Sequence, residues 1–212
     1  MNEKFLNLDP QKQARIIDAA LQEFGEQGYE QASTNRIVKS AGIGKGMLFY
    51  YFKNKQSFYY YLLEYSLDLT LKDFLAKVDM EEEDFIERLY QMAQVKLALF
   101  DKHPDMMNFL GTFMLANEHN LPKSIQEKYE KIQVLAHQKM FDGINYQLFR
   151  QDVDVKKAFD LIRWSFEGYQ NELKAKLQGK KFNEIDLTPY WEEFYDYLKL
   201  LKQVYYENEE GK

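Results

Sequence analysis

Between Ser33 and Lys55 the chain reads STNRIVKSAGIGKGMLFYYFKNK, with five basic residues, Arg36, Lys39, Lys45, Lys53 and Lys55. No Asp or Glu occurs between Glu30 and Glu64. The rest of the protein is acidic. The formal charge is -6 over 212 residues, yet residues 1–60 carry 8 basic and 6 acidic side chains. Basic residues interleaved with tyrosines, on an otherwise acidic chain, suit non-covalent binding of a polyanion. Charge would supply the attraction and the phosphates the contacts.

The elements that must position these residues are two short helices. Ser33 is placed to accept hydrogen bonds from the first N–H groups of one helix. Ile37, Val38 and Ala41 give that helix an apolar face, and Gly42 suits the left-handed residue that ends it. Ile43 is a single apolar plug. Gly44 then opens a second helix over 45–51. Helix, tight glycine turn and short helix is the helix-turn-helix plan, whose second helix enters the major groove. Gly44 and Gly46 remove side chains where a backbone would approach DNA. The GIGKG run does not read as a phosphate-binding loop, because the spacing from glycine to the Gly-Lys pair is wrong and no strand precedes it.

The segment TNRIVKSAGIGKGMLFYYFKNKQSFY resembles the DNA-binding region of the TetR family of bacterial regulators, in its AG turn, KG pair, aromatic run and final lysine. The similarity covers roughly Pro10 to Leu63. It implies an all-α protein of about nine helices. An N-terminal three-helix helix-turn-helix domain (1–53) would precede a larger helical ligand-sensing and dimerisation domain (54–212). It also implies roles. Thr34 and Asn35 match positions that touch the DNA backbone or an adjacent base. Lys45 heads the recognition helix and could donate to guanine O6 and N7. Gly46 allows close approach, and Met47 could pack on a thymine methyl. Tyr50 and Tyr51 match aromatics that face the groove and phosphates, and Lys55 matches a phosphate clamp. Three residues depart from the pattern. Gly44 replaces a capping Ser, Phe49 a Tyr and Met47 a Thr, so the operator sequence stays open. Leu48 reads as core and Phe49 as mainly core, whereas Arg36 and Lys39 read as a solvated face.

Composition narrows the other classes. The chain has no Cys, and its three histidines, His103, His119 and His137, lie far apart, so neither a metal site nor a cofactor is expected. No nucleophile–base pair stands out, which argues against an enzyme. Met1 to Asp9 does not read as a signal peptide, and no run is long and apolar enough for a membrane span. A cytoplasmic protein is expected.

Helical periodicity predicts helices over about 10–27, 33–41, 45–51, 54–78, 82–101, 104–117, 122–150, 155–178 and 189–207. The four prolines stand just ahead of helical patterns. Phe52 is expected to plug the three-helix core, the acids Glu81 to Asp84 to favour a helix start, and Gly179 to end a helix. A recognition helix of seven residues is about 10 Å long. It reads few base pairs, so specificity calls for a homodimer on two half-sites of double-stranded DNA.

The larger part is rich in aromatic and Met residues, Phe74 among them. By the resemblance, it should hold a small-molecule pocket whose occupancy releases a repressor from its operator. Aromatic lining would suit an apolar or aromatic effector. Phe109, Phe113, Met140, Ile162 and Tyr169 are the pocket candidates, with Glu118 and Glu167 as acids that could meet a cation. Leu161, Trp164 and Gly168 on one helix, and Trp191, Phe194 and Leu198 on the last, are the dimer candidates. The alternative is a constitutive DNA-binding or DNA-organising protein of the same fold without a ligand.

Overall fold

The structure, a computed structural model, describes residues 3–73, 75–79, 81–116, 121–178 and 180–206. Phe74, Glu118, His119 and Gly179 lie outside the described residues. Ten α-helices follow in order: α1 (Glu3–Leu6), α2 (Pro10–Gln31), α3 (Thr34–Ser40), α4 (Lys45–Tyr51), α5 (Lys55–Asp73), α6 (Phe85–Lys102), α7 (Pro104–Ala116), α8 (Lys123–Phe141), α9 (Val155–Leu177) and α10 (Thr188–Tyr205). Short 3-10 turns cover Leu75–Lys77, Tyr146–Leu148 and Phe182–Glu184. Extended pairing among the described residues is a lone antiparallel bridge, Phe149 to Tyr206.

Local chemistry accounts for most boundaries. Asp9 accepts from the Lys12 N–H at 3.1 Å and caps α2, with Pro10 in its first turn. Asp84 caps α6, accepting from the N–H groups of Ile86 and Glu87, and Asp154 caps α9. Asn54 and Ser57 cap α5 reciprocally, each side chain accepting from the other's backbone N–H at 2.8 and 3.2 Å.

Several sequence expectations need correction. The chain adds a first helix, α1, around Phe5, which is fully buried. One turn of helix flanked by polar residues carries too little periodicity to be seen. The first long helix does not stop at Gly28. It runs to Gln31, across a kink where Gly28 takes φ 66°. Gly25 is buried inside it. The helix expected over 122–150 stops at Phe141, and Gly143 turns the chain with φ 72°. Ser33 stands at the N-cap of α3, but its side chain makes no capping bond.

Two buried clusters hold the molecule. The first runs through α1 to α5 and continues into α7 and α8, taking in Phe24, Phe52, Phe58, Leu62, Phe109, Phe113, Ile125 and Ile132. It crosses the point between residues 53 and 54, so packing is continuous there. Phe52 is 4% exposed, and its ring lies 4.4 Å from Phe58 and 5.0 Å from Phe5. The α2–α7 pair is the most extensive helix contact. The close approach falls at Gly25, where a Cβ would come within 3.2 Å of the Phe109 nitrogen, and Thr112 Oγ1 donates to the Gly25 carbonyl at 2.8 Å.

The second cluster joins the start of α6 to α9, α10 and the 146–149 turn. Arg88, fully buried, donates to the carbonyls of Glu82, Lys139 and Asp142. Carbonyls at the end of α8 that the helix leaves unpaired thus receive a cation at the negative end of its dipole. Tyr206 is buried and donates to Asp84 at 2.9 Å, while Lys202 pairs with Asp84 at 2.8 Å. Together they pin the end of α10 to the start of α6.

Candidate nucleic-acid interface

The recognition unit is α3, the turn at 41–44 and α4. Gly42, at φ 65°, makes the turn, and the Ile43 N–H returns to the Val38 carbonyl at 3.0 Å. Only a residue tolerant of the left-handed region turns the chain this tightly. Ile37, Val38 and Leu48 bury the inner faces of both helices. Their burial leaves Asn35, Lys39, Ser40, Gly44, Lys45, Gly46 and Tyr50 exposed. A Cβ at Gly44 or Gly46 would meet no atom within 4 Å. The outer edge of α4 is therefore open to close approach.

The structure brings most sequence-nominated residues to this face. Asn35, Lys45, Gly46 and Tyr50 are exposed, and Thr34 and Met47 are half-buried at its edge. Tyr51 points elsewhere. It is 9% exposed, and its ring packs edge-on against Phe5 at 5.7 Å. Lys55 is half-buried; its ammonium donates to the Glu30 carbonyl at 3.1 Å and lies 4.8 Å over the Tyr29 ring. The cation therefore also satisfies the C-terminal end of α2.

Arg36 is committed internally. It grips Glu23 through Nε at 2.9 Å and Nη2 at 2.5 Å. Burial alone would raise the Glu23 pKa. The hydrogen bonds from Arg36 and the Ser33 N–H outweigh it and hold the carboxylate below its ordinary value. This pair fixes α3 on α2. Sequence reading missed Lys4, which α1 sets 4.4 Å over the Tyr50 ring. It thereby adds a cation beside the exposed tyrosine of α4. The signal available was a basic residue beside an aromatic, Lys4-Phe5, ahead of a capped helix.

Residues 16–61 match the family of bacterial regulatory proteins, tetR family. Over 147 residues the chain is 31% identical to an HTH-type transcriptional regulator of Staphylococcus aureus strain USA300, covering 68% of this chain and 71% of that protein. The chain belongs to the TetR family. It is a DNA-binding transcriptional regulator, in a family that acts through DNA rather than by catalysis. The TetR-family protein CprB of Streptomyces coelicolor, solved with its operator sequence, shares the fold at a TM-score of 0.61 and 22% identity, covering 89% of this chain and 87% of that one. A gamma-butyrolactone receptor shares it at 0.51 and 23%, covering 69% of this chain and 72% of that one.

The other nominated residues divide. Phe109 and Phe113 belong to the first cluster, where Phe109 packs 5.3 Å from Tyr59. Met140, Ile162 and Tyr169 belong to the second. The five are thus divided between the two buried clusters. Burial, and then a hydrogen bond to Glu193, push the Tyr169 hydroxyl up to about 12. Glu167 is exposed and pairs with Arg163 at 3.0 Å. A groove of about 120 Å³ lies between α6 and α10, lined by Ile86, Glu87, Tyr90, Tyr195, Leu198, Lys199 and Lys202.

Of the dimer candidates, Leu161 (46% exposed), Trp164 (55%) and the exposed Gly168 form an outward ridge on α9. Phe194 and Leu198 instead point into the subunit's own core, and Trp191 is half-buried against it. The outward ridge of α10 is Tyr197, Leu200 and Val204. Among the described residues no group of acids and histidines is arranged to hold a metal ion, and no helix is long and apolar enough to cross a membrane.

Proposed function

We propose that this TetR-family regulator is a homodimeric, cytoplasmic repressor that binds an inverted-repeat operator and is released by a small-molecule effector. The observation that carries the DNA half is the open outer edge of α4. There Lys45, Gly46 and Tyr50 stand clear of the protein, with the side-chain-free positions Gly44 and Gly46 beside them. Lys45 reads base edges, Thr34, Asn35 and Met47 border them, and Lys4 and Lys55 meet phosphates. The CprB neighbour, solved with its operator, supports this mode of binding.

Dimerisation rests on the two apolar ridges. Leu161, Trp164 and Gly168 on α9, and Tyr197, Leu200 and Val204 on α10, share the spacing i, i+3, i+7, and their large side chains are exposed. Two copies of such a surface bury each other in a four-helix arrangement with two-fold symmetry. The gamma-butyrolactone receptor neighbour supports a small-molecule effector. The signal would pass from the C-terminal helices through α7, which grips α2 at Gly25. An effector shifts the equilibrium only if it prefers the conformation that cannot bind DNA.

The close packing of Phe109 and Phe113 in the first cluster favours the second reading, a regulator of the same fold without a ligand. One experiment tests the assembly claim. Trp164→Asp with Leu200→Asp places charges in both ridges, and sedimentation and operator binding are measured together. The expected result is a monomer with strongly reduced affinity for an inverted repeat. A dimer with unchanged affinity would remove these ridges from the interface.

A further inference from the structure

Gly111 stands inside α7, where glycine weakens a helix. Its φ is not positive, so the backbone does not call for a glycine. The space beside it does. A Cβ there would come within 2.5, 2.6 and 2.6 Å of three carbons of the Phe182 ring, Cγ among them, inside the distance that real Cβ atoms keep. The half-buried Phe182 ring therefore lies directly on the α7 backbone. It also stacks on Phe100 of α6, at 6.0 Å with 20° between the planes.

Phe182 belongs to the connection between α9 and α10, in the 3-10 turn Phe182–Glu184. The turn is held by its own backbone: the Glu184 N–H donates to the Lys181 carbonyl at 3.0 Å, and the Ile185 N–H to the Phe182 carbonyl at 3.2 Å. Helices α9 and α10 bury their apolar residues in the second cluster, whereas this turn lies against α7 and α2. Phe100 packs on the first cluster. The connection thus crosses from one cluster to the other. It lands where α7 meets α2. Gly25 of α2 approaches α7 at Asn108 and Phe109, and Thr112, next to Gly111, donates to the Gly25 carbonyl. The C-terminal helices therefore touch the seat of the DNA-binding domain directly, in addition to the route along α5.

We infer that Phe182, seated on Gly111, is a positioning residue for operator binding: the α9–α10 connection braces the α2–α7 contact and so fixes the angle between each DNA-binding domain and the dimer helices. The inference rests on the reading of α9 and α10 as the dimer helices, and it names the contact through which they act on α2. Two recognition helices match one half-site spacing only if each is held in a fixed place relative to the two-fold axis. With the ring seated, α7 is gripped between Phe182 and Gly25. With the ring out, α7 and α2 keep only their mutual contact, and the domain swings over a wider range. An effector that prefers the unseated conformation releases the operator without touching the DNA-binding surface.

The test compares the full-length wild type with Phe182→Ala, Gly111→Ala and the double variant. Each is titrated with the inverted repeat that the wild type selects from a random library, and with versions whose half-sites are moved by a base pair in either direction. The expected result for Phe182→Ala is a dimer in sedimentation that binds the selected repeat about tenfold more weakly, the size of an ordinary conformational coupling, and loses most of its discrimination against the moved half-sites. Gly111→Ala should do the same, because its methyl expels the ring. Added to Phe182→Ala it should change little, because the ring it would meet is gone. Unchanged affinity and spacing preference in Phe182→Ala would overturn the inference. So would a weakening equal at every spacing, which is what a merely structural loss gives, or additive effects of the two changes. Deuterium uptake by α2 and α7 is read separately, since it needs no operator. Faster uptake in Phe182→Ala, from a wild type that is monomeric or selects no repeat, would keep the brace and sink the dimer reading. Unchanged uptake, from a wild type that binds a repeat as a dimer, would sink the brace and keep the dimer reading.

Discussion

Gly46→Ala separates DNA binding from folding. The added methyl meets no heavy atom within 4 Å, and the position is exposed in the first turn of α4. Within the protein the change should therefore be free of strain. It also removes backbone freedom from the unfolded chain, and Ala favours helix over Gly by up to about 1 kcal/mol. For a chain of this size that corresponds to a melting temperature higher by up to about 4 °C. On DNA the sign reverses, because the methyl stands between the recognition helix and the duplex. Loss of one or two groove contacts, at about 1–3 kcal/mol each, weakens binding by about tenfold to a hundredfold or more. Thermal melting by circular dichroism reads the first effect, and anisotropy of a labelled operator the second. Gly42→Ala is the control of opposite sign for stability, since φ 65° there strains any side chain by about 1–2 kcal/mol. Unchanged operator affinity in Gly46→Ala would refute the placement of this edge against DNA. A fall in stability would refute the claim that the edge is open.

Further outcomes follow from the contacts described. Lys45→Ala should relax the preferred operator sequence, checked by comparing affinities across single-base variants. Lys55→Ala should lower the salt dependence of DNA binding by about one unit. It should also cost about 1 kcal/mol of stability, because the Glu30 carbonyl loses its donor. Hydrogen bonds from Lys102 and His103 hold Asp73 down at about 2, against 3.8 for the free group. The ionised form is the stabilising one, so its contribution is present at neutral pH and lost as pH falls from about 4 toward 2. Asp73→Asn should melt lower at neutral pH, and the gap should close across that window. Arg88→Ala should destabilise by about 3 kcal/mol or more in denaturant unfolding, because several buried carbonyls lose their donor together.

What the sequence disclosed follows the physics of each element. The recognition unit was legible because its constraints are local. A left-handed glycine, an acid-free basic run and apolar residues at helical spacing all act within about twenty residues. The helix starts at Pro10 and Val155 were legible for the same reason. Helix α1 was not, because its existence depends on Phe5 finding Tyr51, Phe52 and Tyr61, partners about fifty residues away. Nor could the sequence say that Arg36 would be tied to Glu23, or that Lys55 would close the end of α2. The last helix shows the limit most plainly. Its apolar stripe is wide, and spacing alone could not divide Phe194 and Leu198, which face the core, from Tyr197, Leu200 and Val204, which face out.

The central claim is sequence-specific binding of DNA by a symmetric pair of recognition helices. It is tested most directly by selecting bound duplexes from a random library at physiological salt, using the full-length wild-type protein. The account predicts enrichment of one inverted repeat, its half-sites separated by about one helical turn or a multiple of it. It also predicts loss of that enrichment in Lys45→Ala. Recovery of a single unrepeated half-site, or of nothing above background, would contradict it.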